Sequence, residues 1–144
     1  MQRPVGARHG VLQTGLSTGP LVLVTCALAL AVGLIHLALT AEYLGEKLLL
    51  GLGFLVGGLV LVAGAVVVTA RLAGSLTRTA LDLVALTLAG MFVGGILSRT
   101  VGLFGFLEKG NWEALLVISL VLEAVALAVW PFARSRLTVS GSSG

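Results

Sequence analysis

Charge is what this sequence has least of. Only 10% of its 144 residues are charged, where a soluble domain carries about 25%. So few charges cannot cover a water-facing surface, and a chain this short has too much surface for its volume to hide the remainder in a core. One cysteine, Cys26, excludes an intrachain disulfide and any CxxC metal or redox motif. No basic run interleaved with aromatics is present, so the net charge of +3 and pI near 9.8 do not point to nucleic acid. No nucleophile–base pair, phosphate loop or HExxH occurs, and no intramembrane lysine is available for a retinal Schiff base. Enzymatic activity is therefore not expected.

What is there is hydrophobic: 58% of residues, with a mean hydropathy of +1.12. A spanning helix needs roughly 20 apolar residues to cross about 30 Å of hydrocarbon. Four stretches qualify, at about 20–40, 48–70, 80–99 and 113–131. They lack the alternation of barrel strands, and a helix satisfies its own backbone in lipid. The sequence therefore predicts an all-α, integral membrane four-helix bundle over 20–132. A cytoplasmic N-terminal segment, 1–19, precedes it and a flexible cytoplasmic tail, 133–144, follows. The first stretch is longer than the apolar core of a signal peptide and has no A-x-A site closing it, so it reads as a retained helix. No internal repeat relates the halves, and GxGxxxGG at 51–58 lies within a spanning helix, so it reads as a packing motif.

Charge placement sets the expected orientation. Arg3, Arg8, Arg71, Arg78, Arg134 and Arg136 fall in the N-terminus, second loop and C-terminus; Lys47, Lys109 and Arg99 fall at the other end. The positive-inside rule then places both termini in the cytoplasm. Trp112, Trp130 and Tyr43 fit the aromatic belt.

Ionisable groups inside a membrane mark functional sites by default. Glu123, ten residues into the fourth stretch, is the clearest candidate, with Thr87, Ser119 and Thr25 expected at similar depth. Either it is a hydrogen-bonded packing group, or it carries a proton or cation. A second layer is expected at the outer boundary, formed by His36, Glu42, Glu46 and Arg99. His36 is also a candidate ligand for a metal or haem, though a lone histidine supplies half of a bis-histidine site. No cofactor is otherwise indicated. Arg99 either binds an anionic lipid or substrate, pairs with Glu42 or Glu46, or snorkels to the interface.

Small and polar residues form stripes at helical spacing: Thr25, Ala29, Gly33, His36 and Thr40 on the first helix, and Thr87, Gly90, Met91, Gly94 and Ser98 on the third. Such stripes pack against other helices in lipid. GLIHLALTAEYLGE, LSRTVGL and VLEAV together resemble small multi-pass membrane proteins of actinobacterial type. Those carry an H-L…E-x-L-x-E element, an R-T-x-G-L element and a late intramembrane glutamate. The matching positions are His36, Leu37, Glu42, Glu46, Arg99, Thr100, Gly102, Leu103 and Glu123; the GLFG after the arginine departs from the family's GLP. The resemblance implies a fold and no particular activity. Three functions stay open: a non-enzymatic accessory or interaction bundle, a small proton, metal-ion or solute transporter or channel, and a haem- or quinone-binding redox protein. The expected partners are the lipid bilayer and either further copies of the chain, as a homo-oligomer, or a larger membrane complex.

Overall fold

The computed structural model describes residues 19–70, 74–102 and 113–139, and these form four helices. They are α1 (Pro20–Glu46), α2 (Leu48–Thr69), α3 (Gly74–Thr100) and α4 (Ala114–Val139). Each is long and apolar enough to cross a membrane. Residues 1–18, 71–73, 103–112 (with Lys109 and Trp112) and 140–144 lie outside the described residues.

The boundaries follow local chemistry. Gly19 precedes α1 and Pro20 opens it, where the missing N–H of proline removes no helical bond. Lys47, extended at φ −144° and ψ 93°, is the whole connection between α1 and α2. Its N–H caps Tyr43 and its carbonyl receives Gly51 N–H. A Cβ on Gly51 would run into the Leu44 backbone, so glycine permits a turn this tight. Gly102, at φ 90°, ends α3 in the left-handed conformation and donates to Leu97 O.

Three boundaries differ from the sequence expectation, one of them the start of α3, at Gly74 rather than about 80. α1 runs to Glu46 rather than to about 40, because no proline or strong breaker interrupts TAEYLGE; hydropathy locates lipid, not the last helical turn. α4 passes through Pro131, which removes only the bond to the Leu127 carbonyl. Residues 133–139, expected as flexible tail, are therefore helical.

The helices form an up-and-down ring in which α1 packs on α2 and α4, and α3 packs on the same two. Val22, Cys26, Val68, Leu81 and Ala133 close the end that holds both termini. Ala29, Val32, Leu61, Val84, Leu88 and Ala126 form the next layer. Gly33 and Gly58 bring α1 and α2 closest: a Cβ on either would lie 3.0 Å from the other's carbonyl oxygen. That is the small-residue seam expected for helices in lipid. Leu34, Val56, Leu86 and Val121 point outward, each more than half exposed. An apolar outside suits hydrocarbon and not water.

Candidate functional site

All five residues of the α1 stripe are buried. The α4 face bearing Leu116, Ser119, Glu123 and Ala126 is buried too, each residue at most 5% exposed. Where the two faces meet, His36 Nε2 stands 3.6 Å from Glu123 Oε1. Ser119, one turn before Glu123, donates to the same oxygen at 2.8 Å. Glu123 Oε2 is buried and has no hydrogen-bond partner among the described residues.

The imidazole is held from behind. His36 Nδ1 lies 2.9 Å from Val32 O. A carbonyl can only accept, so Nδ1 carries the hydrogen and Nε2 of the neutral ring presents its lone pair to Glu123. At 3.6 Å the contact is longer than a hydrogen bond and within ion-pair reach. The two groups can share one proton, either as carboxylic acid beside neutral imidazole or as carboxylate beside imidazolium. Neither form changes the net charge of the pair, so moving that proton avoids creating an isolated charge in a low-dielectric interior.

A second polar contact lies nearer the Lys47 end. Arg99, 4% exposed, donates to Ser98 Oγ at 2.9 Å and to Tyr43 Oη at 3.1 Å. Phe54 of α2 stands between the two contacts. Its ring meets His36 edge-on at 5.0 Å and Tyr43 edge-on at 4.7 Å between centroids. The result is a continuous string from Ser119 and Glu123 through His36, Phe54 and Tyr43 to Arg99.

The expected groupings are redrawn accordingly. His36 faces Glu123 and not Arg99, so it joins the intramembrane site. Ser119 bonds Glu123 as expected. Thr25 and Thr87 do not; each donates to its own helix, to Leu21 O and Leu83 O respectively, at 2.9 Å. Glu42 and Glu46 are exposed on the last turns of α1, while Arg99 is buried against Tyr43. Tyr43 and Phe54 were not legible as site residues, since an aromatic near a helix end reads equally as an interface anchor. At the opposite end, Arg134 grips Asp82 with Nε at 2.8 Å and NH2 at 3.2 Å; sequence spacing gave no sign of this pair.

Among the described residues no three His, Cys, Asp or Glu side chains gather as a metal site. His36 Nδ1 is taken by Val32 O, so ligation would have to use Nε2, the nitrogen that faces Glu123. The α3 stripe departs from expectation as well. Thr87, Gly90, Met91, Gly94 and Ser98 line a groove of about 300 Å³ between α2 and α3, with Arg99 at one end. Comparison with family models, curated proteins and solved structures returns no match to this chain.

Proposed function

We propose that this chain is a small multi-pass membrane protein that binds and releases a proton, or a small cation in its place, at the His36–Glu123 pair. In this reading the pair is the intramembrane station of a small transporter or channel. The observation that carries it is the buried carboxyl group itself: one oxygen engaged by Ser119 and facing His36, the other without a hydrogen-bond partner among the described residues. A glutamate kept only as packing glue is expected to satisfy both oxygens, because an unmet buried polar atom costs about 1–3 kcal/mol. Four helices are few to enclose a path, so the working unit is a homo-oligomer. The arginine distribution supports both termini in the cytoplasm, and the resemblance supports a prokaryotic plasma membrane.

A second reading, a non-enzymatic accessory or interaction bundle, is favoured by the close glycine contact of α1 with α2, which needs no transported species to explain it. Flux from proteoliposomes under an imposed pH or cation gradient separates the two. Transport requires flux in the wild type and its loss in Glu123→Gln, which keeps shape and hydrogen bonding but cannot exchange a proton. Equal flux in both proteins removes Glu123 from any transport mechanism.

A further inference from the structure

The groove between α2 and α3 has a polar end and a long apolar run. Tyr43, Ser98 and Arg99 line it near the Lys47 end, and Gly53, Gly57 and Gly90 line it further in. From Arg99 down to Thr87 is twelve residues of α3, about 18 Å at 1.5 Å per residue. That is close to half of a roughly 30 Å hydrocarbon core, the depth of one leaflet. Glycine gives the run its width. A Cβ on Gly53 or on Gly90 would meet nothing within 4 Å, so both positions open onto free space.

We propose that this groove binds one acyl chain of an anionic phospholipid, with the headgroup phosphate at Arg99. Three observations converge on that occupant. The guanidinium is 4% exposed and lines the groove; hydrogen bonds to Ser98 and Tyr43 orient its plane. A guanidinium has five donors in a fork that matches phosphate oxygens. The charge lies at the end of a span, where phosphates are found, and the leaflet-deep apolar run below it matches a lipid tail. The volume of about 300 Å³ is at the small end of ligand sites and suits one chain rather than a whole lipid. The inference is independent of the proton site, which lies on the α1–α4 side of Phe54.

The test uses the full chain in nanodiscs of equal phosphatidylglycerol and phosphatidylcholine, with retained lipid read by native mass spectrometry after release into detergent. Wild type is expected to retain phosphatidylglycerol over phosphatidylcholine by about tenfold or more, the scale of a charge-assisted hydrogen bond. Arg99→Gln removes that preference. Gly90→Leu grows a side chain into the open groove without meeting a neighbouring atom at its Cβ, and is expected to lose both retained lipids while keeping helicity by circular dichroism. Should Arg99→Gln fail to fold, Gly90→Leu decides alone. Wild type holding both lipids in the bulk ratio overturns the proposal. So does a preference that survives Gly90→Leu in folded protein, or displacement of the lipid by inorganic phosphate, which would make Arg99 a simple anion site.

Discussion

His36 of α1 and Glu123 of α4 face one another across 3.6 Å inside the bundle, with Ser119 on the same carboxylate oxygen. The imidazole is anchored by Val32 and the carboxyl group by Ser119. Each group therefore arrives from its own helix in a fixed orientation, and the pair tests whether α1 and α4 are docked.

The Ser119–Glu123 bond is expected to be measurable as a coupling. Ser119→Ala should cost about 0.6–1.7 kcal/mol, the range for polar contacts in membrane proteins, and close to nothing once Glu123 is leucine. Thermal unfolding of the single and double variants in detergent closes the cycle. An equal cost in both backgrounds would mean that Ser119 contributes packing alone.

Tyr43→Phe keeps the edge contact with Phe54 and removes the oxygen that Arg99 uses. A hydrogen bond to a charged group is worth about 1.5–3 kcal/mol, so the variant should unfold correspondingly earlier. Unchanged stability would show that the guanidinium finds another acceptor as good.

The glycines divide into two sets. Gly33→Ala and Gly58→Ala push a methyl to 3.0 Å or less from opposing atoms and should destabilise by about 1–3 kcal/mol. Gly53→Ala and Gly90→Ala enter open space and should be neutral or slightly stabilising. Chemical unfolding midpoints of the four variants give the comparison; a common effect at all four positions would point to helix propensity instead of contact.

Orientation has a direct readout. Cys26 is 4% exposed and should stay silent to a membrane-impermeant maleimide applied to intact cells. Under the arginine argument Gly110→Cys labels from outside and Ser75→Cys does not. The reverse pattern inverts the protein.

How far the sequence reached is clearest at His36. Four apolar runs placed the four helices, and the α1 stripe Thr25–Thr40 is the buried face. Yet His36 and Glu123 read as belonging to different depths. The error lies in one boundary. With α1 ending at Glu46, His36 is ten residues from that end, and Glu123 is nine from the start of α4 at Ala114. At about 1.5 Å per residue both lie 14–15 Å from the same face. Hydropathy marks where lipid begins; it does not mark where a helix stops, and a six-residue overrun moved a site residue by almost two turns. The α3 stripe shows the other limit. Gly90 promised close packing, but spacing on one helix cannot say whether a partner approaches: Met91 packs onto Gly57, while Gly53 and Gly90 face open space.

The single-residue joint at Lys47 has a mechanical consequence. With one residue between them and the Gly33–Gly58 contact beneath, α1 and α2 are tied at two points into one hairpin. Two polar bridges leave it from the same helix: Tyr43 reaches α3 through Arg99, and His36 reaches α4 through Glu123. Under the proposed transport reading, the stroke is a displacement of α3 and α4 against this hairpin, with these two contacts as its latches.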